Sequence, residues 1–302
     1  MSYRRRSSLY HLASIPRKVW RHPNNRGRRF RRLVAAVVYQ LRKRFGVPPA
    51  MVPLGGGLRI HGDRDFGGVS NLVYFGTFFE YDELRFCERY LRPGDVVVDG
   101  GANIGVFTLL ASRWVGETGR VLACEPASRA VAELRRNLLL NRLENVDVFE
   151  AALGEETGRM HLIADMDVSN QLIEEPPDDH VTERVRLTTL PEIVGNSICA
   201  LTKLDLEGAE LAALRGARPL LATAKLPLLL LEASDHQLRR LGANRADLLE
   251  LLVEHGYRFA TYDSDAVHLQ FVERPRTANF LAVHESYLEE LGRRLGATDP
   301  QT

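Results

Sequence analysis

The sequence predicts an α/β chain: a doubly wound, mostly parallel sheet preceded by a basic helical arm. Three observations carry this. From about Gly94 onward, short apolar or β-branched runs alternate with helical periodicities, the pattern of parallel strands joined by crossover helices. One run, Val96-Val97-Val98, leads straight into the glycine turn Asp99-Gly100-Gly101-Ala102-Asn103-Ile104-Gly105. Upstream, the first 62 residues hold 15 of the 40 basic residues and none of the 39 acidic ones. The other 240 residues therefore carry a net charge of −14 beneath an overall +1, and such an arm points to an anionic partner or to the acidic body itself.

The arm reads as a helix. Phe30, Leu33, Val34, Val37, Val38, Leu41 and Phe45 follow the spacing of one helical face. Arg28, Arg29, Arg31, Arg32, Arg42, Lys43 and Arg44 crowd its ends, and Pro48-Pro49 stops it. Two readings stand: an interfacial helix on an anionic membrane, using residues 1–48, or a helix docked on the main domain. Leu54 to Gly68 is glycine-rich and reads as a linker or a hairpin. Strands follow at Val96–Val98, Arg120–Cys124, Val146–Phe149, Ala200–Leu204, Leu228–Leu231, Tyr257–Thr261 and Phe280–Val283. Helices are expected over Ile104–Trp114, Ser128–Leu140, Leu211–Leu221 and Arg245–Glu254. Two strand-like pieces, Met160–Ile163 and Arg184–Thr188, flank a polar loop from Asp165 to His180, long enough for a lid or substrate element. The domain reading is an arm and linker over 1–65, a main domain over 66–290 and a tail over 291–302.

At 45% hydrophobic and 26% charged, the composition is globular and excludes collagen-like, coiled-coil and wholly disordered chains. No run approaches the ~18–20 apolar residues of a membrane span, and the basic N-terminus reads as no secretory signal. Cys87, Cys124 and Cys199 are scattered and odd in number, which suits a reduced chain without disulfides or metal spacing. A cytoplasmic location follows as an expectation, with peripheral attachment at the inner membrane surface.

The glycine turn is where a ligand is expected, at the carboxyl end of a strand and the N-terminus of a helix. Glu125 ends the next strand, twenty residues after Gly105, where a carboxylate can accept ribose hydroxyls. A dinucleotide fingerprint needs glycine in its middle position, which here is Ala102. Asp99 would repel a pyrophosphate but suits the cationic end of S-adenosylmethionine.

These residues resemble the FkbM-type S-adenosylmethionine-dependent methyltransferases. The resemblance rests on Asp99 through Gly105, Glu125-Pro126, Asn137, Asn141 and Ala151-Ala152-Leu153-Gly154. It continues through Lys203-Leu204-Asp205-Leu206-Glu207-Gly208-Ala209-Glu210, Leu229 to Glu232 and Asn279 to Ala282, with Gly76 and Glu80 upstream. It implies a seven-stranded Rossmann-like sheet and cofactor contacts from Asp99, Gly101, Ala102, Asn103, Gly105, Glu125, Pro126 and Ala152. Two departures stand out: Gly100, where the family commonly has valine or isoleucine, and Leu190-Pro191, where it commonly has Leu-Asp.

Lys203, Asp205 and Glu207 share one face if their strand stays extended. They read either as an ion-pair network or as a pocket for the methyl acceptor. A hydroxyl acceptor needs a base or a metal, and the base candidates are Asp205, Glu207, Glu232 and His236. Mg²⁺ suits such oxygen ligands but is not required by the pattern. The expected activity is methyl transfer from S-adenosylmethionine to a hydroxyl of a small molecule, sugar or lipid-linked glycan. The alternatives are a nucleotide-dependent oxidoreductase and a surface-anchored binding protein with a vestigial methyltransferase core. Nucleic acid is disfavoured, because the arm has few interleaved aromatics; the oligomeric state is left open.

Overall fold

The computed structural model describes residues 14–45, 47, 51–62, 67–163, 171–173 and 182–296. The chain forms two compact units, residues 1–84 and 85–302, whereas the sequence reading places the junction at 65/66. Pro48, Pro49 and residues 297–302 lie outside the described residues.

In the first unit, helix α1 (14–21) precedes α2 (Arg29–Arg44), the antiparallel hairpin of β1 (Met51–Gly55) and β2 (Leu58–His61), and α3 (Gly67–Phe75). The hairpin alternative for the glycine-rich stretch is the one observed. Helix α2 buries Ala36 and Tyr39. Ser70 donates to the Tyr39 hydroxyl at 3.3 Å, and Gln40 donates to the Tyr74 hydroxyl. The last carbonyls of α3, which no helical N–H can reach, accept from Arg32 (Val73 O, 3.3 Å), Asn25 (Tyr74 O, 2.9 Å) and Asn24 (Phe75 O, 2.6 Å).

Helix α4 (Tyr81–Tyr90) leads into the second unit, which begins β3 (Val96–Gly100), α5 (Val106–Val115), β4 (Arg120–Cys124), α6 (Ser128–Asn141) and β5 (Val146–Phe149). Then come β6 (Ala152–Leu153), β7 (Gly158–Ile163), β8 (Gln171–Ile173), β9 (Thr182–Thr188), α7 (Leu190–Val194) and β10 (Leu201–Leu204). The chain closes with α8 (Glu210–Gly216), α9 (Arg218–Ala222), β11 (Leu228–Glu232), α10 (Asp235–Arg240), α11 (Arg245–Glu254), β12 (Tyr257–Asp263), β13 (His268–Val272), β14 (Asn279–His284) and α12 (Leu288–Leu295).

The main sheet has the order β13-β12-β14-β11-β10-β3-β4-β5. Strands β5, β4, β3, β10 and β11 are parallel, and β14 inserts antiparallel between β11 and β12. These seven strands are the expected sheet. The eighth, β13, is an edge strand added by a hairpin whose turn is held by Asp263, which accepts the N–H groups of Asp265 and Ala266 at 2.9 Å each. The central strands are apolar on both faces, as buried parallel strands are: Val97, Val98, Leu201, Leu204, Leu228, Leu229 and Leu231 are all fully buried. A smaller sheet, β6-β9-β7-β8, grows from the two strand-like pieces. The stretch expected to be an irregular loop, Asp165 to His180, instead carries β8, which pairs antiparallel with β7; the rest of that stretch lies outside the described residues. Residues read as tail also belong to the fold: Leu291 of α12 is buried, and Arg294 forms two bonds to Asp95 at 2.6 and 3.0 Å.

The expected helix from Leu211 to Leu221 is two helices, because Pro219 cannot donate to the preceding turn and opens α9 instead. Strand β10 stops at Leu204, so Lys203, Asp205 and Glu207 do not continue one extended face. The reason is a turn in which Glu207 (φ 54°) and Gly208 (φ 114°) both adopt positive φ.

Gly101 (φ 80°) shows why the first turn needs glycine: a Cβ there would run into the Asp205 carbonyl oxygen. Gly242 (φ 70°) has nothing within 4 Å of such a Cβ. Gly242→Ala should therefore cost only the left-handed backbone, about 1 kcal/mol. Gly101→Ala should cost more than ~2 kcal/mol, read as the difference in thermal midpoints. Equal losses would mean that the two turns do not press on each other.

Candidate functional site

The site is built where β3, β4 and β10 end. The N–H groups of Gly101 and Ala102 both donate to the Cys124 carbonyl at 2.9 Å, which locks the glycine turn to β4. The Asp205 N–H donates to the Gly100 carbonyl at 3.1 Å, which brings the second acidic segment against the same turn. Asn137 of α6 donates to the Ile104 carbonyl at 2.9 Å and holds the turn from behind. Asn103 has φ 50°, and its side-chain oxygen accepts the Ile104 N–H at 2.8 Å.

These ties leave a cleft of about 120 Å³ lined by Gly101, Asn103, Cys124, Glu125, Pro126, Ala151, Ala152, Leu153, Leu162, Asp205, Leu206, Glu207 and Ala209. Five of the expected cofactor residues thus line it: Gly101, Asn103, Glu125, Pro126 and Ala152. Gly105 and Ala102 shape the turn from outside the lining. Asp99 lies buried beneath it. One Asp99 oxygen accepts from Thr108 at 2.5 Å, and the other has no hydrogen-bond partner among the described residues. Of the four base candidates, Asp205 and Glu207 reach the cleft. Glu232 ends β11 in register with Asn279. His236 is exposed on α10, beside Asp235, Arg239 and Arg240, away from the cleft lining.

Glu125 is held rigidly, accepting the Asn103 N–H at 2.9 Å and the Ala127 N–H at 3.0 Å. That uses two of about four acceptor positions on the carboxylate. Burial pushes Glu125 up to about 7, against those two bonds, and Asp99 and Asp205 add to the rise. Burial also raises Asp99, while the Lys203 ammonium opposes the shift. Lys203 pairs with Asp205 at 3.1 Å and lies 5.8 Å from the Phe107 ring centre. Glu207 is raised by burial and opposed by Gln237, which donates to it at 2.5 Å. The positive φ of Glu207 is backbone strain of the kind that gathers at functional sites.

Sequence reasoning gave no role to Gln237, Leu162 or Glu210. Glu210 is fully buried and accepts the N–H groups of Leu206 and Gly208 at 2.8 and 3.2 Å, which forms the turn that carries Asp205 and Glu207. Its signal was present: a carboxylate shortly after a turn satisfies free N–H groups at a helix start. Gln237 and Leu162 have no such signal, since they arrive from α10 and the small sheet. Among the described residues, no group of three His, Cys, Asp or Glu is placed to hold a metal ion.

The family model of the methyltransferase FkbM domain matches residues 99–259. The AMB antimetabolite synthetase AmbE of Pseudomonas aeruginosa is 31% identical over 280 residues, covering 75% of this chain and 12% of that protein. The 31-O-demethyl-FK506 methyltransferase FkbM of Streptomyces tacrolimicus is 40% identical over 92 residues, covering 30% of this chain and 34% of its own. The chain thus spans well under two thirds of each of these relatives. A crystal structure of a methyltransferase FkbM from Methylobacillus flagellatus aligns with a TM-score of 0.41 at 19% identity, covering 72% of this chain and 53% of that one.

Burial pushes Glu210, like Glu125, up to about 7 from an ordinary 4.5. The folded chain holds both in the protonated form more readily than the unfolded chain does. This contribution is complete below pH ~4.5 and is lost as pH rises through about 7. The stability of the ligand-free chain, read from its thermal midpoint, should fall between pH 5.5 and 8 by on the order of 2 kcal/mol for each group. The double variant Glu125→Gln, Glu210→Gln should flatten that fall. An equal fall in both proteins would place its origin elsewhere.

Proposed function

The chain belongs to the FkbM family of methyltransferases, and we propose that it moves a methyl group from S-adenosylmethionine to a hydroxyl of a small molecule, a sugar or a lipid-linked glycan. The observation that supports the donor is the charge of the cleft. Asp99, Glu125, Asp205, Glu207 and Glu210 crowd one place, outnumbering the cations Lys203 and Arg240 that act on them. That sign suits a cofactor bearing a sulfonium and an ammonium, and it opposes the pyrophosphate of a nucleotide-dependent oxidoreductase. The acceptor class is supported by the name of the Streptomyces tacrolimicus relative, which specifies a 31-O-demethyl acceptor.

The residues fit the cofactor. Glu125 keeps free acceptor positions beside Pro126 and Ala152 and would hold the ribose hydroxyls. The turn from Gly101 to Asn103 would hold the methionine end, above the unpaired oxygen of Asp99. When bound, S-adenosylmethionine supplies a methyl group on a cationic sulfur, open to in-line displacement. The chain's own task is then alignment and proton removal. Asp205 is fixed by its ion pair with Lys203 and would orient the acceptor hydroxyl. Glu207, raised by burial, would accept the proton, and Gln237 fixes its carboxylate.

Two measurements test this reading. Donated hydrogen bonds favour an ionised Glu125, so cofactor binding should release a proton. Calorimetry should show affinity for S-adenosylmethionine rising from pH 5.5 to 8. Glu125→Gln should flatten the profile and bind roughly tenfold more weakly, a loss of about 1.4 kcal/mol. Tight binding of NADH with none of S-adenosylmethionine would sink the donor assignment. In the second, donor carrying a labelled methyl group is offered with a metabolite extract. Glu207→Gln and Asp205→Asn should lower label transfer by about 10²-fold or more with cofactor affinity unchanged. Folded variants with full transfer would remove both residues from the chemistry.

A further inference from the structure

The apolar face that the sequence picks out on α2 is not the face that holds the helix in its unit. Ala36, Tyr39 and Gln40 carry the packing against α3. On the other side Phe30, Val34, Val37, Val38, Leu41 and Phe45 are solvent-exposed, Phe30 at 77%, Leu41 at 51% and Phe45 at 76%. At 3.6 residues per turn these six side chains fall within an arc of about 100°. By the same geometry Arg44 borders one edge of the arc, and Arg31 and Arg42 border the other. A stripe this wide and this apolar, facing water on a helix that is already packed elsewhere, marks a docking surface.

The charge beside it identifies what docks. Arg28, Arg31, Arg32 and Arg42 line a cavity of about 500 Å³ together with Tyr39 and Thr77. Burial lowers Arg32, and the charges of Arg28 and Arg31 lower it further, as expected where guanidinium groups crowd together. The first 62 residues contain no acid to offset them. A second copy of the chain would bring like charges together along this helix, and a nucleic acid would have no use for six exposed apolar side chains. A surface that is anionic outside and hydrocarbon inside satisfies both features.

We propose that α2 is an interfacial helix that seats this chain on an anionic lipid bilayer, its six apolar side chains entering the acyl boundary and its arginines meeting lipid phosphates. No described helix is long and apolar enough to cross a membrane, so the helix lies in the plane of the surface. Attachment through one helix is reversible and weakens with salt.

The test uses the full chain and two kinds of vesicle, phosphatidylcholine alone and phosphatidylcholine mixed with phosphatidylglycerol. Wild type should sediment with the mixed vesicles at low salt, be released at high salt, and ignore the neutral ones. Val37→Glu with Leu41→Glu should weaken binding by roughly tenfold or more, as should Arg31→Glu with Arg42→Glu. All four positions are exposed, so thermal midpoints should stay at the wild-type value; if one falls, Val37→Ser with Leu41→Ser replaces the apolar pair. The proposal is overturned if wild type fails to sediment at low salt. It is also overturned if only the arginine variant loses binding, which describes a polyanion site, or if the apolar variant splits a dimer that shows no vesicle binding.

Discussion

The carboxylate of Asp205 acts on every other acid of the cleft: its charge raises Asp99, Glu125, Glu207 and Glu210. Such a cluster folds only if something offsets the repulsion, and Lys203 does so from near the end of β10, 3.1 Å from Asp205 and in range of Asp99. Lys203 is buried, at 9% exposure, and is further accommodated by the Phe107 ring. Removing one partner of a buried pair leaves an uncompensated charge. Lys203 also acts on Asp99 of β3, so β3 and β10 are coupled through this ammonium as well as through backbone pairing, and the cleft inherits its shape from that coupling.

The strands of the main sheet were legible because each is a short apolar run ended by a turn residue or an acid. What escaped the reading was short or polar. Helix α10 has six residues, five of them polar or charged, and is started by the Ser234 side chain accepting the Gln237 N–H. Strand β13 alternates weakly because it lies at an edge, half solvated. The break between α8 and α9 turns on Pro219, whose effect a broad apolar period conceals.

At the site, Glu125 and the glycine turn were legible because their chemistry is local: a strand end, a carboxylate, and backbone that needs positive φ. Asp205 and Glu207 line the cleft, but not for the reason their spacing suggested. They meet in the cleft because Glu210 folds the chain back, not because a strand stays extended. His236 and Glu232 follow the same strand end in sequence, yet α10 turns His236 out to solvent. The helical face of the arm was read correctly as apolar, but periodicity cannot say which of two faces meets the protein. Tyr39 and Ala36, outside the seven-residue stripe, made that choice through Ser70 and Tyr74.

Gly100 has an ordinary extended backbone, so its lack of a side chain is a matter of room. A Cβ at that position would come within 2.9 Å of methyl carbons on both Leu153 and Leu204, and within 3.3 Å of one on Leu206. The space that a side chain at 100 would need is filled here from three other strand and loop positions. These four residues share one fixed volume and should change together over evolutionary time. A branched side chain at 100 would have to displace the methyl ends of Leu153 and Leu204, so a change at 100 favours a smaller or reshaped side chain at 153 or 204.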